Sequence, residues 1–207
     1  MDSIRMSLGK RSASPPLSLR TAPRRAQQAL AVLALALLPA LASAQSNWAP
    51  SGLFVQGGAA NHAQSATVGL TWDLPPHWEL GPYDVEAYVE ASVSEWQYHA
   101  PAGTSGNDSL TQFGLIPTLR LRPDHGASPW FAEIGIGATY TTSIYRPENK
   151  TFSTRFNFGD HLALGRNFGA HGAHELALRY EHFSNADIKR PNPGEDFGQL
   201  RYAYHFQ

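Results

Sequence analysis

The chain has 207 residues with 16 Lys/Arg, 17 Asp/Glu, 9 His and no cysteine, which excludes disulfide staples and makes one domain the natural expectation. The first 44 residues hold 6 of the basic residues and a single acid, so 10 basic and 16 acidic residues remain after them, a net charge of about −6 that offers no basic face to nucleic acid. Stability must then come from a packed core or from a sheet closed on itself in a membrane.

Residues 1–44 are set aside as a leader. Arg5, Lys10, Arg11, Arg20, Arg24 and Arg25 precede an apolar run over 29–38, followed by Ala42, Ser43 and Ala44. This is the basic, apolar, small-x-small order of a secretory signal peptide, and the run is shorter than the ~20 residues a membrane anchor needs. The expected mature chain is one domain, 45–207, beginning near Gln45.

Beyond residue 50 the two-residue period of β-strands prevails. In chain order the predicted strands lie near 52–60, 65–73, 84–96, 109–122, 129–141, 152–164, 174–184 and 197–206. The third is typical: Val85, Ala87, Val89, Ala91 and Val93 form one face, and Glu86, Tyr88, Glu90, Ser92 and Ser94 form the other. In the fifth, Trp130, Ala132, Ile134, Ile136, Ala138 and Tyr140 share a face with aromatics at both ends. Turn-forming clusters separate the segments, among them Pro75-Pro76, 101–108, 123–126 and 167–169. Several segments reach the 9 to 11 residues of a tilted transmembrane strand, and an even number of antiparallel strands can close. The expected fold is all-β, an eight-stranded antiparallel transmembrane β-barrel.

Alternation alone does not say which face meets the core. A soluble barrel puts the apolar face inside; a membrane barrel turns it to lipid and keeps polar groups within. The polar faces carry Glu86, Glu90, Arg120, Glu133, Arg155, Arg179, Glu181 and Arg201, both signs in numbers that suit an internal ion-pair network. The last strand adds the face Leu200, Tyr202, Tyr204 and Phe206. Together with export and the lack of cysteine, this favours the bacterial outer membrane over a soluble lipid-binding barrel.

One segment carries chemistry. His182 and Ser184 stand two residues apart in a predicted strand, so they share the face of Tyr180, Leu178 and Leu176. A candidate general base and nucleophile thus lie on a surface suited to hydrocarbon, where polar groups are costly and call for a reason. Same-face residues at this spacing start ~7 Å apart, so a bend near Asn185 is needed to bring hydroxyl and imidazole together. Without further support the pair reads as ordinary surface polarity, and Asn185, Ala186 and Asp187 as a turn.

His182-Phe183-Ser184-Asn185-Ala186, continuing through Ile188-Lys189 and Pro191-Asn192 and supported upstream by residues 129–137, resembles the PagL family of lipid A 3-O-deacylases. The likeness covers most of the mature chain in layout, with its specific motifs in the last thirty or so residues. It implies an eight-stranded outer-membrane barrel and a serine esterase that removes the 3-O-linked primary acyl chain of lipid A. It also implies a Ser-His-Glu triad on the lipid-facing surface: Ser184 as nucleophile, His182 as base, and an acid from Glu195 or Asp196. Parity supports Asp196, which shares the face of Leu200 and Tyr202; residue type supports Glu195, which a one-residue bulge could turn outward. For the oxyanion the resemblance implies the Asn185 side-chain amide and the backbone N–H of Asp187, where the family pattern has glycine.

The implied partners are lipopolysaccharide (lipid A) as substrate, outer-membrane lipid and, as an open option, a second copy in a homodimer. No metal and no cofactor is implied: the histidines lack ligand spacing, with His171 and His174 flanking a loop, and Gly135 and Gly137 suit close strand packing better than a nucleotide loop. The alternative function is a non-enzymatic eight-stranded barrel, an adhesin or structural envelope protein.

Overall fold

The computed structural model describes residues 49–206, apart from 102 and 105; the expected signal peptide lies outside the described residues. Eight strands follow one another in an antiparallel meander: β1 (Gly52–Ala59), β2 (Ala63–Leu80), β3 (Tyr83–His99), β4 (Asn107–Arg122), β5 (Trp130–Thr141), β6 (Phe156–Phe168), β7 (His174–Ser184) and β8 (Glu195–His205). Each pairs with the next, and β8 pairs back onto β1 from Gly52↔His205 to Ala59↔Gly198, which closes the barrel and leaves no edge. Among the described residues no helix is long and apolar enough to cross a membrane.

Two strands, β2 and β6, depart most from the sequence expectation. Pro75-Pro76 does not end β2; the strand runs on to Leu80 through an irregular register between Asp73 and His77. Beyond Asp73 only β3 pairs with it, since the β1 partners stop at Thr71, and prolines are tolerated where the backbone has a free side and the ladder is already broken. Strand β6 begins at Phe156 rather than 152 and continues to Phe168. Phe152 instead turns inward from the preceding loop to join the core.

The alternation sorts the side chains as a membrane barrel requires. Leu164, Leu178, Ile136 and Leu162 are 58–70% exposed on the outer wall, while Glu90, Arg120, Glu133, Arg179, Glu181 and Arg201 are buried in the lumen. Arg179 and Arg201 both reach Glu90, and Arg120 joins Glu133 to Glu175. Burial strengthens such pairs, and Glu90, Glu133 and Glu175 each face an arginine, which is the condition for tolerating charge in a dry interior. Arg155, expected in this network, is exposed in a loop, and Glu86 is only half-buried near the opposite rim.

The longer connections, 142–155 and 185–194, leave one end of the barrel together with 60–62 and 100–106; the other end has 81–82, 123–129 and 169–173. Outer-membrane barrels carry their longer loops on the external side. Under these loops the lumen is plugged by Trp96, Tyr98, Tyr145, Phe152, Phe183 and Phe197. Their rings meet edge to face, with Trp96 and Phe183 4.8 Å and Tyr98 and Tyr145 4.8 Å apart between centroids. This plug gives the external loops a rigid seat.

Candidate active site

Strand β7 ends at Ser184 and β8 begins at Glu195, with Phe183 opposite Glu195 and His182 opposite Asp196. Because side chains alternate, this register sends Phe183 and Glu195 into the lumen and His182 and Asp196 out onto the wall. The exposures agree: Glu195 is 3% exposed, whereas the Asp196 side chain is 55% and that of His182 38% exposed. No bulge rotates Glu195 outward.

His182 Nδ1 lies 2.6 Å from Asp196 Oδ1. A carboxylate at this distance accepts a hydrogen bond from Nδ1–H, which leaves the Nε2 lone pair as the basic site of the neutral ring. The Tyr180 hydroxyl approaches the same carboxylate. Among the described residues Nε2 has no hydrogen-bond partner, and neither has the Ser184 hydroxyl. The two are on the same face without a direct bond, a separation common in apo sites that tighten with substrate.

Glu195 is engaged inside. Tyr145 Oη donates to its Oε2 at 2.6 Å, and Lys150 Nζ reaches its Oε1 at 3.2 Å and the Gly194 carbonyl at 2.9 Å. Burial, and then the bond to this carboxylate, push the Tyr145 hydroxyl well above the usual phenol range. It stays a donor.

Asn185 also faces inward and is 1% exposed. The resemblance implied its amide at the oxyanion; instead its Nδ2 has three acceptors at 2.8–3.1 Å, Lys189 O, Ser153 Oγ and Thr154 Oγ1. Two protons shared among three acceptors leave nothing to offer the outer wall. The backbone N–H of Asn185 donates to Asn192 Oδ1 at 2.9 Å, tying both ends of the β7–β8 connection together. Between them Ala186 and Asp187 are left-handed at φ 51° and 61°, and Ile188 N–H donates to Asn185 O at 3.0 Å. Such backbone is costly for residues with a Cβ and persists only where the surroundings dictate it. Among the described residues the N–H groups of Ala186 and Asp187 have no protein acceptor. The Asp187 carboxylate pairs with Arg190 at 3.1 Å, which offsets its charge at this turn.

Several contributors escaped sequence reasoning. Gly194, at φ +66°, would place a Cβ 2.7 Å from His182 Cε1, so only glycine leaves the imidazole its room. Pro193-Gly194 ahead of a strand was the available signal. Ser153, Thr154 and Lys150 had none, since they meet the site only through the barrel's closure. Beside the polar cluster an open apolar hollow of about 960 Å³ runs over the outer wall, bordered by Gly57, Ala59, Leu178, Tyr180, Gly198 and Leu200.

A protein-family model described as Lipid A 3-O-deacylase (PagL) matches residues 64–205. The lipid A deacylase PagL of Bordetella bronchiseptica is 34% identical over 181 residues, covering 84% of this chain and 93% of the relative. That of Pseudomonas aeruginosa is 28% identical over 174 residues, 83% of this chain and 96% of the relative. The crystal structure of the outer membrane enzyme PagL superposes with a TM-score of 0.62 at 23% identity, covering 75% of this chain and 99% of that one, and shares the barrel fold. A carboxylate and an imidazole paired on a hydrocarbon wall thus sit in a sequence whose relatives carry one name, and the chain belongs to the PagL family, enzymes of the bacterial outer membrane.

Proposed function

We propose that the chain hydrolyses the 3-O-linked primary acyl ester of lipid A with Ser184 as nucleophile, His182 as general base and Asp196 as the acid that orients His182. The observation that carries this reading is the 2.6 Å contact between His182 Nδ1 and Asp196 on the outer wall. A carboxylate facing lipid is expensive, so its presence there calls for a functional reason.

In this mechanism His182 Nε2 removes the Ser184 Oγ proton as oxygen attacks the ester carbonyl. Asp196 holds the ring in the required tautomer and stabilises the imidazolium that forms. The free N–H of Asp187 in the strained turn is the proposed oxyanion donor. Asn185 contributes by pinning that turn to the β5–β6 loop. Collapse breaks the bond to the sugar oxygen, which receives the proton from His182. Water, deprotonated by the same imidazole, then releases the 3-hydroxy fatty acid from Ser184. The apolar hollow beside Tyr180 and Leu200 suits the leaving hydrocarbon chain, and lateral diffusion in the outer leaflet delivers the substrate to a site on the wall.

Ser184→Ala and His182→Asn variants, folded and inserted, should lose lipid A deacylation by a factor on the order of 10³ or more. Mass spectrometry of lipid A from expressing cells reads the result as one acyl chain kept or lost. Continued release of the 3-hydroxy fatty acid by either variant would overturn the triad. A non-enzymatic barrel predicts an unchanged lipid A mass even with the native chain.

A further inference from the structure

At the external rim the fold gathers three residues that no sequence spacing connects. His62 lies in the β1–β2 turn, His99 closes β3, and Glu148 lies in the β5–β6 loop. One ligand atom from each falls within 4.8 Å of the others. The two imidazoles are 6.2 Å apart between centroids at 61°.

Backbone bonds hold the three in place. His99 N–H donates to His62 O at 3.1 Å, and Ala60 N–H donates to Ala63 O at 2.8 Å, so His62 rides on a closed turn that is tied to the end of β3 at His99. Glu148 sits between Tyr145 and Phe152, whose backbones bond to each other at 2.9 Å and whose rings are buried in the aromatic plug. The loop segment carrying the carboxylate is therefore anchored on both sides. Among the described residues none of the three side chains makes a hydrogen bond or a salt bridge. Two imidazoles and a carboxylate converge, partly exposed, with their lone pairs unspent.

We propose that His62, His99 and Glu148 form a divalent-cation site of the zinc class, with water in the remaining coordination position. Two imidazoles select a borderline metal over magnesium or calcium, which prefer all-oxygen shells. Zinc bonds of ~2.1 Å set ligand atoms about 3.4 Å apart in a tetrahedron, so the exposed side chains need close by only about an ångström. The ion would join the β1–β2 turn and the end of β3 to the β5–β6 loop. That loop also supplies Tyr145 and Lys150 to Glu195, and Ser153 and Thr154 to Asn185. Binding would thus stiffen the segment that braces the β7–β8 turn, and the site itself does not depend on the triad.

The test uses the folded full-length barrel in detergent, stripped with a chelator and titrated with zinc chloride by calorimetry. One saturable site is expected. Removing an outer-sphere partner of a metal ligand already costs 10–100-fold in affinity, so His62→Ala, His99→Ala and Glu148→Gln should each weaken binding by about tenfold or more. His171→Ala, at the opposite end of the barrel, should leave it unchanged. Cobalt(II) as a spectroscopic probe should show visible bands of low-coordinate geometry in the native chain and lose them in Glu148→Gln. Zinc should also raise the thermal midpoint of the native protein but not of Glu148→Gln, because a ligand stabilises only the state that binds it. Absence of saturable uptake, or affinity unmoved by all three variants, would overturn the site.

Discussion

Glu195 and Asp196 are adjacent in the chain and meet opposite surroundings. Glu195 points into the lumen, where Tyr145 and Lys150 share its oxygens; Asp196 points out beside leucines and tyrosines, with His182 against it. The same contrast holds across the whole barrel. Inside, charge is abundant and buried, and arginines pair with glutamates, as with Glu90 between Arg179 and Arg201. On the stretch of outer wall formed by β7 and β8, the His182–Asp196 pair stands among exposed Leu176, Leu178, Tyr180 and Leu200. Charge inside serves the fold, where arginines answer glutamates, while charge on the hydrocarbon face is costly and, in the mechanism we propose, serves chemistry.

Substitution should separate the two kinds of charge. Asp196→Asn keeps the shape but offers His182 a neutral partner that favours the wrong tautomer, so kcat should fall on the order of 10²–10⁴ with an unchanged unfolding midpoint. Glu195→Gln should lower kcat by less than about tenfold. Steady-state hydrolysis of purified lipopolysaccharide measures both, and the opposite ranking would return the triad's acid to Glu195.

Arg179→Met is the mirror case. It takes one of two guanidinium partners from the buried Glu90, and breaking a buried ion pair costs 3–5 kcal/mol. The loss should be about 3 kcal/mol, at the low end, because Arg201 still reaches Glu90 at 3.0 Å. Denaturant unfolding in detergent should show it, with little change in kcat. A large loss of activity at undiminished stability would mean that the interior network tunes the site directly.

How much of this was legible in the sequence follows from the same parity. The two-residue period placed Glu90, Arg120, Glu133, Arg179, Glu181 and Arg201 on one side and the leucines on the other, and the structure keeps that partition. It put His182 and Ser184 on the apolar face, and it favoured Asp196 as the outward acid. Period says nothing about contacts between distant segments. Lys150, Ser153 and Thr154 reach Glu195 and Asn185 across more than thirty residues, and Asn185 turns inward because those acceptors are there. The Pro75-Pro76 pair was misleading for a related reason: a proline's effect on a strand depends on whether a neighbour needs its N–H, which only the pairing reveals. Composition could not reveal the rim cluster either, since His62, His99 and Glu148 meet only when the strands close.

Gly194→Ala perturbs the outer wall without touching any charge. A Cβ there would lie 2.7 Å from His182 Cε1, on backbone at φ +66°. The imidazole must yield, and a misplacement near an ångström can cost up to 10²-fold in rate. We expect about a tenfold fall in kcat while KM stays within a factor of two or three, because the lipid-contacting wall is unaltered. A change confined to KM would place Gly194 in substrate binding instead.

The smallest effect belongs to Tyr145→Phe, which tests the inner side. The variant keeps the ring in the aromatic plug and removes only the hydroxyl that donates to Glu195 at 2.6 Å, while Lys150 still serves that carboxylate. A buried hydrogen bond of this kind is worth about 1 kcal/mol, and kcat should barely change. The pH dependence supplies the sign. Burial and the Glu195 carboxylate hold the folded Tyr145 hydroxyl above its unfolded pKa, so its contribution is fully present below the unfolded value of ~10 and is lost as pH rises beyond it. Unfolding midpoints of native and Tyr145→Phe chains should therefore differ at neutral pH and converge above pH ~10. A gap that stayed constant would mean that the hydroxyl is ionised no differently in the two states.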